Sequence, residues 1–471
     1  MNTEDEHIDL ERKLGLFDSV MIVIGIVIGT GIFLTTGIIA RSIPSPSLIL
    51  LVFAVGGILS FVGSLIYAEL GAAMPQAEGQ YIYIREAYGP LFGFLFGWVM
   101  ILVYMTGAIA ACAVAFSEYL GYFFPSLGTN NYIFTITINI FNHSLPYSLS
   151  MGQIVGIAII IILSYLNYFG LIFGAIIQNI FTILKIGALV GLVVLGFSIG
   201  KGEHIEFSLV GTNMSLSSLF MGFGVAMIAI IWTYGGWNCL SFTAGEIKNP
   251  RRNIPLSLFL GVSLITVIYA AVNYIYLYAL PIDEMTGVVR VAEKAATALF
   301  GGTGATLISV AVIISVFGAL NATILTGARV YYAMAKDNLF FRRAANVHPR
   351  YRTPGFSIFI QAVWSCVLTL SGTFEQLITY VTFVLICYYI AAAASLFTLR
   401  KKFPALPRPY KVWGYPVVPL LYLIFLAALL LNTLVNKPVE SIAGLGFVAI
   451  GVPVYFYWKK KDSQIPLKAT E

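Results

Sequence analysis

Apolar positions along this chain gather into long blocks that recur from end to end, separated by short polar stretches. Blocks of about 20 mostly apolar residues match the length of a membrane-spanning helix. They predict twelve such helices, over residues 17–40, 47–74, 89–121, 151–168, 172–199, 217–243, 254–280, 302–335, 355–372, 376–399, 416–435 and 440–458. The stretch 125–150, with Pro125, Gly128, Asn130 and Pro146, is predicted to be a loop. So are 244–253, 337–353 and 400–415, rich in Lys, Arg and Pro. The expected fold is an all-α membrane protein of twelve transmembrane helices.

Two of the blocks are interrupted near their centres. The first contains IVIGIVIGTGIFL, residues 22–34, broken at Gly29, Thr30 and Gly31. The sixth contains IIWTYGGWNCL, residues 230–240, broken at Gly235 and Gly236 between Trp232, Tyr234 and Trp237. Glycine is a poor helix former, and backbone groups freed at membrane depth are tolerated only against protein or a wet cavity. Close helix packing explains either break taken singly. Both together, each in the first helix of a group of five, point to a secondary transporter with inverted repeats. The expected organisation is a tail over 1–16, a first five-helix repeat over 17–200 and a second, inverted one over 201–399. Residues 400–471 then hold a connecting segment, the last two helices and a second tail. At such a break the second half-helix presents free N–H groups and positive dipole, which suit a carboxylate. The first half presents free carbonyls, which suit an ammonium. Both ends at one site recognise a zwitterion through backbone alone, hence an α-amino acid.

Composition agrees with a membrane protein: 59% of the 471 residues are hydrophobic and 10% charged, against about a quarter charged in soluble chains. The first block is longer than a signal-peptide core and has no cleavage site of that type. Of 27 Lys and Arg, only Arg41, Lys201, Arg290, Lys294 and Lys437 fall on one side, and Lys185 lies inside a helix. The rest share the side of both termini, which predicts cytoplasmic N- and C-termini in a cell membrane. The net charge of +6 is explained by that bias and calls for no nucleic acid. Cys112, Cys239, Cys366 and Cys387 lie in apolar blocks without CxxC spacing and read as buried thiols. His7, His143, His204 and His348 fall in tails or loops, and Glu69, Glu118 and Glu375 near helix ends. A membrane-embedded enzyme needs acids, bases or ligands gathered at one depth, so an enzyme, a metal and a cofactor are not expected. The absence of a repeated filter motif argues against a channel.

The same residues carry a resemblance. VIGIVIGTGIF, FTILKIGALV in the fifth block, WTYGGWN followed by EIKNPRRNIP, FGALNATILTGARVYYAMAKDN in the eighth, and the closing PYKVWGYPVVP and GVPVYF cover nearly the whole chain. The chain resembles the amino acid–polyamine–organocation superfamily and, within it, the L-type amino acid transporters, whose animal members are light subunits of heteromeric exchangers. That resemblance implies the leucine-transporter fold of five plus five helices and sodium-independent exchange of neutral L-amino acids. It also implies the site. The carboxylate would meet the N–H groups of Thr30 and Gly31 and the Thr30 hydroxyl. The ammonium would meet the carbonyls of Val27 or Ile28, and of Trp232 and Gly235. Trp232 would cover the substrate, with Asn238, Ala319 and Thr323 near the pocket and Gly29, Thr233 and Tyr234 completing the two breaks. Gly31 is expected to admit close approach of the substrate, so that valine there would block binding and leave folding intact. Thr30 and Trp232 stand where serine and phenylalanine are commoner in the family. The loop between the third and fourth helices has no cysteine, whereas in animal members it supplies a disulfide to a heavy subunit. No disulfide-linked heavy subunit is therefore expected, and the chain looks like a prokaryotic member.

Lys185 is an ionisable group at mid-helix, which is a functional-site hypothesis by default. No acid sits on its own helix to pair with it, so carbonyls freed by the first break are its expected partners. In sodium-coupled relatives of this fold a cation bridges the first and eighth helices near this place. An ammonium there would replace sodium. The alternative is a proton-coupled symporter, in which Lys185 releases its proton during the cycle.

Overall fold

The computed structural model describes residues 12–75, 79–140, 143–169, 174–200, 202, 215–349, 351 and 353–463. Lys201, His204 and the first residues of the N-terminal tail, His7 among them, lie outside the described residues. Eleven of the described helices are long and apolar enough to cross a membrane, and Gly355–Ser371 is a shorter apolar helix. These are the twelve expected spans. Span 1 is the pair Leu16–Val27 and Gly31–Ser42, span 2 is Pro46–Ala73, and span 3 runs Pro90–Val99 and Met105–Phe123. Spans 4 and 5 are Met151–Tyr168 and Gly174–Ile199; span 6 is Leu216–Tyr234 continued by Trp237–Glu246; span 7 is Pro250–Ala279. Span 8 lies in Val291–Lys336, span 9 is Gly355–Ser371, and span 10 is Phe374–Lys402. Spans 11 and 12 are Val417–Asn436 and Pro438–Ser463.

Local chemistry sets the ends. Pro46, Pro90 and Pro250 each open a helix, where the missing N–H costs nothing and the fixed φ is already helical. Span 4 opens on a capping box in which Gln153 N–H donates to Ser150 Oγ (3.3 Å) and Ser150 N–H to Gln153 Oε1 (2.8 Å). Thr373 and Gln376 repeat the device at span 10. Gly301, at φ 71°, interrupts Val291–Lys336, so the membrane helix proper begins at 302, as the sequence predicts.

Four features depart from the sequence reading. The predicted loop 125–150 holds an antiparallel hairpin, β1 (Tyr132–Ile140) on β2 (His143–Ser150). The alternation YIFTITINI is a strand pattern that its flanking Pro and Gly obscured. A short helix, Gln80–Tyr88, stands between spans 2 and 3. Met100–Tyr104 of span 3 is a π-helical turn, and the second half of span 6, Trp237–Glu246, is wound as a 3₁₀ helix.

Burial shows which spans are central. The apolar window of span 1 is 89% buried and that of span 3 is 83% buried, against 22% for span 12. Spans 1 and 3 are thus walled in by protein, while span 12 presents most of its surface to lipid. At the basic end of the bundle, Leu14 N–H donates to Glu246 O (3.0 Å) and Lys248 N–H to Leu14 O (2.8 Å), tying the chain before span 1 to the end of span 6. Arg329 of span 8 pairs with Glu246 at 2.9 Å and Arg85 with Asp337 at 2.6 Å. Glu69, at the end of span 2 and 1% exposed, accepts from Arg400 Nε (2.8 Å), from Arg400 again (2.6 Å) and from Val412 N–H (2.6 Å).

Candidate transport site

The first helix of span 1 stops at Val27. Ile28 N–H still donates to Ile24 O (2.8 Å), but Gly29 N–H turns back to Val27 O (2.7 Å). A new helix starts at Gly31 with Thr30 as its N-cap and no side chain capping it. Phe33 N–H closes a short turn on Thr30 O (3.2 Å), but the N–H groups ahead of it have no intrahelical acceptor, so a ligand can take them.

Carbonyls on the other side of the break are claimed by neighbouring spans. Lys185 Nζ of span 5 donates to Gly25 O (2.9 Å) and Ile28 O (3.1 Å). Ser315 Oγ of span 8 adds a second bond to Ile28 O (3.3 Å), and Tyr269 OH of span 7 donates to Val27 O (2.9 Å). Lys185 is 2% exposed. Its partners are the span-1 carbonyls expected from the sequence.

Span 6 breaks beside span 1. Gly235 N–H closes the helix on Trp232 O (3.0 Å), and Gly236 follows at φ 112°, a conformation open to glycine and costly for L side chains. The two broken helices touch directly. A Cβ on Gly31 would lie 2.5 Å from Thr233 Cα, in the backbone of span 6. Gly31 is therefore a packing glycine, and the expectation that valine there leaves folding intact is corrected. Thr35 Oγ1 shares a hydrogen bond with Thr233 Oγ1 (2.8 Å) across the same seam.

Between the breaks lies a cavity of ≈ 60 Å³. Of the residues named from the sequence, Val27, Gly29, Thr30 and Gly31 line it from span 1, Trp232 and Gly235 from span 6, and Ala319 and Thr323 from span 8. Trp232 is half-buried and its Nε1 donates to Thr30 Oγ1 (3.2 Å), so the indole bridges the two breaks over the cavity. The edge of its ring faces Phe374 of span 10, with centroids 6.3 Å apart.

Ile28, Thr233, Tyr234 and Asn238 stand outside the lining. Ile28 gives its carbonyl to Lys185, and Thr233 bonds within span 6 to Ala229 O (2.7 Å). Tyr234 OH donates to Phe53 O (3.1 Å). Asn238 stands next to the lining residue Cys239, donating to Gln80 Oε1 (3.3 Å) and accepting from Tyr389 OH (3.2 Å). Lys185 is not part of the lining and sits behind it, on the span-1 carbonyls.

Sequence reasoning missed one wall. Tyr104, Met105, Ala108 and Cys112 line the cavity from span 3, joined by Ile26, Gly236, Cys239 and Leu385. Tyr104 lies in the π-helical turn, a deviation common at functional sites and without a period that a sequence reveals. Cys112 and Cys239 are buried, as their apolar context suggests, yet both residues line the cavity. Among the described residues no cluster of His, Cys, Asp and Glu could hold a metal.

Comparison with known proteins agrees with this architecture. The family model described as amino acid permease matches residues 14–454. The chain is 32% identical to the serine/threonine exchanger SteT of Bacillus subtilis over 98% of its length and 100% of the relative's. It is 30% identical to the mouse large neutral amino acids transporter small subunit 2, over 96% of the chain and 82% of that protein. Mouse Asc-type amino acid transporter 1 is 30% identical over 97% and 83% of the two chains. The expectation of a transporter, not an enzyme, holds. The chain belongs to the amino acid permease family of multi-span membrane transporters.

Proposed function

We propose that the protein exchanges neutral L-amino acids across a cell membrane by alternating access, without sodium. The observation that carries this reading is the pair of facing helix breaks with an uncharged cavity between them. The carboxylate takes the N–H groups of Thr30 and Gly31, where the dipole of Gly31–Ser42 favours an anion. Val27, Ile28 and Trp232 carbonyls already have partners, so the ammonium meets Ile26 O and the Gly235 carbonyl at the break of span 6. Absence of a charged side chain from the lining favours a neutral substrate, since a buried unpaired charge is costly. The Lys185 ammonium fills the place of a coupling cation, holding span 1 to span 5 in every state of the cycle.

On this reading, residues 17–200 and 201–399 are the two inverted repeats, both termini face the cytoplasm, and the chain works without a disulfide-linked heavy subunit. The test is radiolabelled uptake into liposomes, empty or preloaded with amino acid, at matched and unmatched pH. Uptake only into preloaded vesicles, indifferent to sodium and to the pH step, is expected. Accumulation into empty vesicles driven by an inward proton gradient would overturn exchange and make Lys185 a proton carrier. Orientation is tested separately: an exposed Asp283→Cys should label from outside the cell, and Lys248→Cys should not.

A further inference from the structure

Span 9 puts no residue into the cavity lining, yet one of its faces is built of polar side chains. Ser357, Gln361, Ser365 and Thr369 recur every fourth residue and are all fully buried. Phe359, Val363 and Val367 are exposed on the rest of the helix. A polar face in a membrane helix turns to protein, and this one reaches two walls of the cavity. Gln361 Nε2 donates to Ile324 O of span 8 (2.8 Å), next to the lining residue Thr323. Three residues on, and so on the neighbouring surface of the helix, Trp364 Nε1 donates to Leu102 O of span 3 (2.8 Å).

Leu102 lies in the π-helical turn Met100–Tyr104. Beyond that turn Met105, Ala108 and Cys112 follow helical spacing along the cavity wall, and Tyr104 joins them from the turn itself. The winding is real in its hydrogen bonds. Met105 N–H reaches Met100 O, five residues back. Buried Thr106 Oγ1 donates to Ile101 O (2.7 Å), also five back. Helical threonines ordinarily reach three or four back, as Thr323 does to Ala319 O (2.8 Å). A turn widened in this way is rare and recurs at functional sites, and its buried carbonyls still need donors. Side chains donate to two of them: Thr106 from within span 3 and Trp364 from span 9. Gly327 of span 8 closes the arrangement, since a Cβ there would meet Gln361 Oε1 and lie 3.3 Å from Met105 Cβ.

We propose that Trp364 is a positioning residue for the transport site: its indole N–H holds the π-helical turn that presents Tyr104 and Met105 to the cavity. This rests on the exchange reading above and deepens it. The helix breaks of spans 1 and 6 bind the two charged groups that every α-amino acid shares. The span-3 wall faces what differs between them, the side chain. Loss of the indole donor leaves Leu102 O to find another N–H, and rewinding of the turn moves Tyr104 and Met105 off the wall. Affinity and side-chain preference then change together, while the breaks stay intact.

The test compares Trp364→Phe, which keeps an aromatic ring and removes the donor, with Trp98→Phe. Trp98 also lies on span 3 and donates to a carbonyl, Phe447 O (3.1 Å), but outside the π-helical turn. In preloaded liposomes Trp364→Phe is expected to raise KM about two- to tenfold, the range of one neutral hydrogen bond. It should also reorder alanine, serine and leucine in competition, with Vmax nearly unchanged; Trp98→Phe should do neither. Thr106→Val removes the other donor to the same turn, so its combination with Trp364→Phe should be no worse than the more severe single variant. Wild-type KM and preference in Trp364→Phe would overturn the proposal. So would a lower Vmax and melting temperature at unchanged KM, which mark a packing role, or additive losses in the double variant. If the wild-type protein exchanges no amino acid, the exchange reading fails by itself. Deuterium uptake by peptides covering 99–107 in detergent then decides the role of Trp364: faster uptake than wild type in Trp364→Phe alone supports it, and equal uptake overturns it.

Discussion

Replacing Lys185 by alanine removes the donor that spans 1 and 5 share at the break. Its Nζ bonds Gly25 O at 2.9 Å and Ile28 O at 3.1 Å, and Ile28 O alone keeps a second donor, Ser315 Oγ. Hydrogen bonds to a charged group contribute about 1.5–3 kcal/mol each. Against that gross loss stands relief from burying an ammonium, which costs several kcal/mol per ion. The difference leaves about 2 kcal/mol of preference for the intact break, a change of roughly 30-fold in a binding constant. Radiolabelled exchange in preloaded liposomes should therefore fall by about that factor for Lys185→Ala. Lys185→Met restores most of the stem's volume without a donor, and should fall similarly. If Lys185→Met exchanges at the wild-type rate and only Lys185→Ala is slow, the effect is a packing cavity. If both run at the wild-type rate, the ammonium does not hold the break and the reasoning fails.

A methyl group on Gly29 has room, since its Cβ would sit 3.5 Å from Ile26 O and 3.6 Å from Ala319 Cβ at the cavity wall. Gly29→Ala should thus fold and lose substrate affinity, whereas Gly31→Val should fail by size-exclusion profile before any affinity is measured. A well-folded Gly31→Val variant with normal affinity would show that the two breaks are not packed as described. Trp232→Ala opens the cavity's cover and removes roughly 1–3 kcal/mol of apolar contact. Competition assays should then show weaker binding and relatively better tolerance of leucine and phenylalanine over alanine; an unchanged profile removes Trp232 from the site. Glu69→Gln leaves Arg400 and Arg408 without their buried partner. Breaking such a pair costs about 3–5 kcal/mol when both ions are buried. With Arg400 20% exposed the loss should be nearer 2 kcal/mol, visible as a lower melting temperature in detergent with little change in substrate preference.

What the sequence determined follows from rules that act locally. Lipid demands long apolar helices with their backbone bonds closed within each segment, so spans, breaks and the start of span 8 near 302 could be read from runs of residue types. The breaks at Gly29–Gly31 and Gly235–Gly236 were legible because glycine at membrane depth has few other uses. Lys185 stood out because a charge in a span must find a partner.

Tertiary structure decided the rest, because it depends on which atoms meet across hundreds of residues. The sequence marks Gly31 as part of a break; only the 2.5 Å approach to Thr233 reveals that it packs span 1 on span 6. Likewise Asn238 belongs to the span-6 motif, yet it does not line the cavity itself: it bonds Gln80 and Tyr389 behind the lining residue Cys239. The span-3 wall depends on a π-helical turn that adds a residue to one helical turn and shifts the faces beyond it, so no helical period in the sequence announces Tyr104 as a lining residue. Which carbonyls of the break remain for a substrate is set last, by donors arriving from spans 5, 7 and 8.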